Sequence, residues 1–209
     1  MQVSVQILLA TYNGARFLRE QLDSLFNQTF QDFTVLLRDD GSTDDTLQII
    51  EEYQRKFPDK INVLKDNLKN LGATQNFGVL LENANADYIF FCDQDDVWVK
   101  HKIELSLQKI LALENGNHDV PCFIFSDMKA MDEAGNITDH SVWNKLLLHP
   151  EYCTLNRLLI QNIPHGCTML INKAMRNLAV PIPKEAILHD HWMALIGVAC
   201  GKSAYIEEP

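Results

Sequence analysis

Asp93-Gln94-Asp95-Asp96 sets three carboxylates within a few residues, directly after the apolar run Tyr88-Ile89-Phe90-Phe91-Cys92. An aromatic and β-branched run of this kind reads as a strand, and acids at its end are presented at a sheet edge where a ligand reaches them. Like charges crowded at low dielectric raise one another's pKa, so something must offset them. A hard divalent cation with oxygen ligands, Mn²⁺ or Mg²⁺, does this and usually arrives with substrate phosphates. The same acids also suit the start of a helix, whose dipole favours negative charge, and a helical pattern follows from about 100.

Two more polar clusters follow strand-like runs: Thr11-Tyr12-Asn13-Gly14 and Asp39-Asp40-Gly41-Ser42. One such cluster is ordinary turn chemistry. Three at one sheet edge, two of them acid-rich, are better explained by a binding site. There is no Gly-x-Gly-x-x-Gly and no Gly-x-x-x-x-Gly-Lys-Ser/Thr, so neither dinucleotide nor P-loop phosphate binding is supported. A phosphate site without glycine-rich loops needs a metal, which agrees with the acid cluster. Further on, His189-Asp190-His191-Trp192 opens a helical stretch. Residues i and i+2 of a helix point to different sides, so the two histidines do not chelate one metal, and Asp190 is also a natural N-cap.

The elements that must position these residues alternate. Strands are predicted at 3–10, 33–38, 61–65 and 87–92, and helices at 16–28, 45–56, 73–84 and 100–114, with Ser42 or Thr43 capping the second helix. This order predicts an α/β fold: a Rossmann-like, mostly parallel sheet flanked by helices, with ligands outside the carboxyl ends of its strands. The second half is less regular, with strands expected at 121–127, 167–171 and 203–207 and helices at 152–161, 172–178 and 190–199. The acidic stretch 127–133 reads as a solvated loop. With no linker or repeat, the chain reads as a single domain over 1–209, with a nucleotide-binding half at about 1–115 and an acceptor-facing half at about 116–209.

Composition narrows the function classes. The 209 residues are 46% hydrophobic, enough for one substantial core. A net charge of −10 argues against a nucleic-acid partner, because no basic stripe is available to displace phosphate counterions. Five widely spaced cysteines without a Cys-x-x-Cys pair read as reduced thiols of a cytoplasmic protein. The first ten residues lack a basic n-region, and no run of roughly 18 apolar residues occurs, so any membrane contact is peripheral, at the inner face, or lies outside this chain. Nothing in the sequence sets an oligomeric state.

The ordered set of motifs resembles family 2 glycosyltransferases of the GT-A fold. The matching pieces are Val-Ser-Val-x-Ile-Leu-Leu-Ala-Thr-Tyr-Asn-Gly at the start, Leu-x-Ser-Leu-x-x-Gln-Thr-Phe at 22–30, Asp39-Asp40-Gly41-Ser42-Thr43-Asp44, Asn70-Leu71-Gly72 and the Asp-x-Asp-Asp after its strand. Asn76-Phe77, Phe125-Ser126-Asp127, Gly166-Cys167-Thr168 and His189-Asp190-His191-Trp192 look like the bacterial branch that builds surface polysaccharides, rhamnosyltransferases included.

The resemblance implies an inverting, metal-dependent transfer of a sugar from a UDP- or dTDP-sugar to a glycan or lipid-linked acceptor. Thr11, Tyr12 and Asn13 match its first nucleotide-contacting turn, and Asp40 the acid that accepts the imide N–H of uracil or thymine, a donor cytosine lacks. Asp93 and Asp95 match the Asp-x-Asp pair, with Asp95 the direct metal ligand and Asp93 holding ribose or metal-bound water. Asp96 stays open between site and helix cap, and Asp39 is preferred as a turn acid. Asp190 lies where the family carries its catalytic base. His165, Gly166 and Trp192 fall on the acceptor side, where Trp192 and Trp143 either stack on sugars or face the core. The family's usual arginine beside Asn76 is replaced by Gln75. Relatives of this type continue with a segment that supplies a histidine to the metal and a lid, so these residues are expected to be the N-terminal portion of a longer, more active protein. Two other classes remain: a sugar-nucleotide-binding protein without turnover, and a nucleotidyltransferase, whose glycine-rich basic loop is missing here.

Overall fold

The computed structural model describes residues 3–208; Met1, Gln2 and Pro209, which the sequence reading includes, lie outside the described residues. Among the described residues, nine strands follow in chain order: β1 (Val5–Thr11), β2 (Phe33–Asp39), β3 (Ile61–Val63), β4 (Tyr88–Asp93), β5 (Cys122–Ser126), β6 (Ala130–Met131), β7 (Ile137–Asp139), β8 (Leu170–Asn172) and β9 (Lys202–Ile206). The helices between them are α1 (Leu18–Phe26), α2 (Thr46–Lys56), α3 (Ala73–Asn83), α4 (Lys102–Glu114), α5 (Val142–Leu146), α6 (Leu155–Leu158), α7 (Lys173–Ala179) and α8 (His189–Cys200).

Seven strands form one sheet in the order β3-β2-β1-β4-β8-β5-β9, and β6 pairs with β7 in a separate hairpin. Pairings β2–β3, β1–β2, β1–β4 and β5–β9 are parallel, whereas β8 runs antiparallel to both β4 and β5. The mostly parallel α/β architecture expected from the alternation is therefore present.

Alternation along β1 explains the layering. Val5, Ile7 and Leu9 point into one apolar cluster, with Leu18, Leu22 and Leu25 of α1 and Ile103, Leu107 and Ile110 of α4. Leu8 and Ala10 point the other way, onto Phe77, Leu80 and Leu81 of α3 and Met193 and Ala194 of α8. A strand buried on both faces needs an unbroken apolar run, which Ile7-Leu8-Leu9-Ala10 supplies. Each such Leu, Ile or Phe contributes about 1.5–3 kcal/mol on burial. Helix α8 lies close to the sheet because Gly197 faces Phe123 of β5; a Cβ there would strike the ring. That close approach fixes where the first turn of α8 stands.

Several boundaries differ from the sequence expectations. The helix expected at 152–161 is a 3-10 turn at Pro150–Tyr152 and the short α6, because Leu155, Leu159 and Ile160 remain exposed and only Leu158 is anchored in the core. Residues 166–168 form a 3-10 turn, and β8 begins three residues later than the expected strand start at 167. The 127–133 stretch is not simply solvated. Asp127 is buried and accepts from Ser141 Oγ and the backbone N–H groups of Met128 and Trp143, and β6 follows it. Neither Ser42 nor Thr43 caps α2, whose N-cap is Asp45. All five cysteines are free thiols, and no helix among the described residues is long and apolar enough to cross a membrane.

Candidate functional site

Strands β2, β1 and β4 are adjacent and parallel, with Thr11 opposite Asp39 and Ala10 opposite Asp93. The three polar turns therefore leave the sheet side by side at its carboxyl edge. They are also tied together. Thr11 Oγ1 donates to Asp39 Oδ1 (2.9 Å) and the Asp40 N–H to the Thr11 carbonyl (2.9 Å). The Asn13 N–H donates to Ser42 Oγ (2.8 Å), and Asn13 Oδ1 accepts from the Thr43 N–H (2.8 Å). Gln94 clamps the first turn from the other side: Oε1 accepts from the Tyr12 N–H (2.9 Å) and Nε2 donates to the Tyr12 carbonyl (3.0 Å).

These turns border a cleft of about 440 Å³ lined by Thr11, Tyr12, Asp40, Asn76, Asp93 and Asp95, among others. Asn13 does not line it; its side chain holds the first two turns together. Asp39 accepts from the Gly41 and Ser42 N–H groups (3.0 and 2.8 Å) and so organises its turn from within. Beneath Asp40 lies Arg38, only 1% exposed. Its guanidinium donates to Asp40 Oδ1 (3.0 Å), Asn76 Oδ1 (2.9 Å), the Leu68 carbonyl (2.8 Å) and both oxygens of Asp66 (2.8 and 3.1 Å). Asp40 Oδ2 accepts from the Gly72 N–H (2.9 Å) at the start of α3.

The acid cluster crowds like charges in a poorly solvated place. Desolvation, then Asp96, Asp95 and Asp190, push the Asp93 carboxyl up to about 7, and desolvation raises Asp96 as well. Helix α4 begins at Lys102 with His101 as its N-cap, so Asp96 does not cap it. Asp96 instead keeps one buried oxygen without a partner among the described residues, and one oxygen each of Asp93 and Asp96 and the sulfur of Cys167 lie within 4.8 Å of one another. Exposed Asp95 stands between the cleft described above and a second one, of about 720 Å³, that runs between α4 and the hairpin to Cys167 and Thr168.

Asp190 sits in the first turn of α8, buried to 9% exposure. Its Oδ2 accepts from the Gly166 N–H (2.9 Å), and its Oδ1 accepts from Asn162 Nδ2 (3.1 Å) and the His191 N–H (2.6 Å). The helix has Leu188 as N-cap, so the carboxylate works as an anchor for the 162–166 loop more than as a cap. Gly166 is required by close approach, since a Cβ would collide with the His189 ring. The Nδ1 of His165, on the same loop, is buried without a partner among the described residues. Trp192 packs on the core and donates Nε1 to the Ala179 carbonyl (2.9 Å), while Trp143 is buried against Phe125.

His189 is buried, stacks on Phe77 at 4.1 Å and has no partner for either ring nitrogen among the described residues. Desolvation pushes its pKa from 6.5 down to about 4, against the pull of Asp190. A depressed histidine stabilises the fold above its unfolded pKa, and this contribution is lost as pH falls toward the folded value. Acidification from pH 7 to pH 5 should therefore remove roughly 2 kcal/mol through this group alone. Denaturant titrations at both pH values should show a smaller acid loss for His189→Leu than for the native chain; equal losses would place the sensitivity elsewhere.

Arg38 and Asn162, which hold Asp40 and Asp190, do not stand out in the sequence as site residues. An arginine ending an otherwise apolar strand immediately before two acids was the available signal for the first; for the second there was none.

Comparison with known proteins agrees with this architecture. A dTDP-rhamnosyl transferase, RfbG, of Shigella flexneri is 43% identical over 112 residues, which are 52% of this chain and 38% of that protein. The poly(ribitol-phosphate) β-N-acetylglucosaminyltransferase TarS of Staphylococcus aureus is 38% identical over 92 residues, 43% of this chain and 16% of that one. Among solved structures, residues 1–349 of S. aureus TarS superpose with a TM-score of 0.73 at 22% identity, covering 99% of this chain and 58% of that one. The mannosyltransferase PcManGT from Pyrobaculum calidifontis, solved with GDP-Man and Mn²⁺, gives 0.75 at 18% identity, covering 99% and 55%. The chain thus spans less than two thirds of these relatives and has their GT-A fold. A model of Glycosyl transferase family 2 matches residues 6–178, most of the chain, which therefore belongs to that family.

Proposed function

We propose that this chain carries the donor site and the catalytic base of an inverting glycosyltransferase that takes a sugar from a UDP- or dTDP-sugar to a glycan or lipid-linked hydroxyl in bacterial surface-polysaccharide synthesis. The observation that carries the reading is the convergence of Asp40, Asp93 and Asp95 on one cleft, with the charge of Asp190 near enough to bear on Asp93. The dTDP-rhamnosyl and N-acetylglucosaminyl transferases among the relatives support the donor class.

Asp40 accepts the base imide, Thr11 and Tyr12 form the wall beside it, and Asn13 keeps that wall in place. The donor set of Asp93, Asp95 and Asp96 fits Mn²⁺ or Mg²⁺: oxygen ligands, a buried oxygen in want of a partner, and a charge cluster that lifts Asp93. Asp95 would hold the ion at the mouth and Asp93 would hold ribose or water from behind. Such an ion, when bound, neutralises the diphosphate as it departs. Asp190 takes the proton of the acceptor hydroxyl as that oxygen bonds to the anomeric carbon and the diphosphate leaves with the bonding electrons. His165 and Gly166 border the acceptor, which approaches past Asp95 through the larger cleft, while Trp192 supports the wall from the core. This portion of the protein works on the cytoplasmic side, with peripheral contact at the inner face of the membrane.

The test is product analysis with UDP- and dTDP-sugars: released nucleoside diphosphate with a glycosylated acceptor is expected, whereas pyrophosphate from a triphosphate would indicate nucleotidyl transfer. In the same assay Asp95→Ala should lower Mn²⁺-dependent nucleotide affinity by about tenfold. Native affinity in that variant, with Mn²⁺ present, would remove Asp95 as a ligand.

A further inference from the structure

Arg38 does more than neutralise Asp40. Its Nη1 lies 3.0 Å from Asp40 Oδ1 and 2.9 Å from Asn76 Oδ1, so the carboxylate and the amide flank one nitrogen. A guanidinium has only donors, and the amide atom facing it must be the oxygen. The orientation of Asn76, ordinarily ambiguous between O and N, is thereby fixed, and its Nδ2 is turned away from Arg38. That Nδ2 meets no protein acceptor among the described residues, and Asn76 lines the same cleft as Asp40. The neighbouring Gln75 is not available for this role, since its Nε2 donates to the Pro183 carbonyl (3.1 Å).

From this geometry we infer that Asn76 is a second base-reading residue: Asp40 accepts a ring N–H while Asn76 Nδ2 donates to the carbonyl beside it. The inference rests on the donor reading given above and extends it to the full hydrogen-bonding edge. An N–H next to a carbonyl is present on uracil, thymine and guanine. Cytosine offers an acceptor nitrogen flanked by an amine, and adenine the same, so both leave Asp40 facing a lone pair and are rejected. Arg38 is the positioning residue for both readers.

Asn76→Asp is the first test: the new carboxylate still accepts from Arg38, loses the donor, and adds a buried negative charge beside Asp40, so its result is read together with those of the ligand analogues. Calorimetric titration should show UDP and dTDP binding weakened by about tenfold, with CDP binding left as weak as in the native protein. UDP affinity within twofold of native would overturn the inference while leaving the donor reading intact. Should that variant fail to fold, the native protein carries the test through the ligand. Either 2-thio- or 4-thiouridine diphosphate should bind more weakly than UDP, since sulfur accepts poorly, and N3-methyl-UDP should lose the Asp40 contact. Equal binding of both thio analogues would overturn Asn76 alone. Failure of the native protein to bind any uridine or thymidine diphosphate would overturn the donor reading together with the inference.

Discussion

Asp190→Asn should lower the transfer rate by on the order of 10²-fold or more while donor affinity stays near native. The acceptor hydroxyl must lose its proton as its oxygen attacks, and an amide cannot take it. The substitution keeps size and shape, and most of the local bonding survives. The side-chain oxygen can still accept from the Gly166 N–H, as Oδ2 does now at 2.9 Å. On the other side the new amide would oppose Asn162 Nδ2, which presently donates to Asp190 Oδ1 at 3.1 Å. Rotating the Asn162 amide brings round its oxygen, which is buried and unpartnered among the described residues, at the loss of the bond to the Pro164 carbonyl. The His191 N–H, which now donates to Oδ1 at 2.6 Å, also loses its acceptor, so the structural cost is two hydrogen bonds, about 1 kcal/mol each. The expected pattern is a collapse of kcat with a near-constant UDP dissociation constant. Near-native kcat would leave Asp190 as an anchor of the 162–166 loop and send the base elsewhere.

The parts of this fold that were legible are those where periodicity and burial coincide. Strands β1, β2 and β4 are apolar on both faces and end in acids or Thr-Tyr-Asn, and α1, α3 and α4 show apolar residues at helical spacing, so their places could be read within a few residues. The juxtaposition of Thr11, Asp40, Asp93 and Asp95 followed from parallel topology, because strands running the same way bring their ends to one edge. The second half was less legible because its local signals lose to tertiary contacts. The helical pattern of 152–161 lacks a second apolar element to cover Leu159 and Ile160, and the helix stops after one turn. Asp127 carries no mark in the sequence of its burial, which depends on Ser141 and Trp143 arriving from a later segment. The alternative of Asp96 as a helix cap failed for a local reason: residues 97–101 intervene, and α4 starts only where Ile103 and Leu107 can reach the core.

Arg38 is where the hidden part of the site and the stability of the fold meet, and Arg38→Met should expose both. The native side chain is 1% exposed, and it faces Asp40 at 4% and Asp66 at 25% side-chain exposure. Removing the cation leaves Asp40 as a buried charge with only the Gly72 N–H to hold it, whereas the better exposed Asp66 can turn toward water. Breaking one partner of a buried pair costs about 3–5 kcal/mol, and the lower end applies here because Asp66 relaxes. In urea titrations the midpoint should fall without a change in slope, and a loss under about 1 kcal/mol would mean that Asp40 finds another partner. The decisive comparison adds Asp40→Asn and Asp66→Asn to Arg38→Met. With both uncompensated acids removed, an apolar side chain in place of the guanidinium should recover most of the stability, because an ion pair replaced as a unit is often nearly neutral. Nucleotide affinity should not return with it. Folding needs the charges beneath the cleft to be balanced, and base reading needs an acceptor and a donor held at fixed orientation by Arg38. Recovery of stability without recovery of UDP binding would separate those two roles in a single protein.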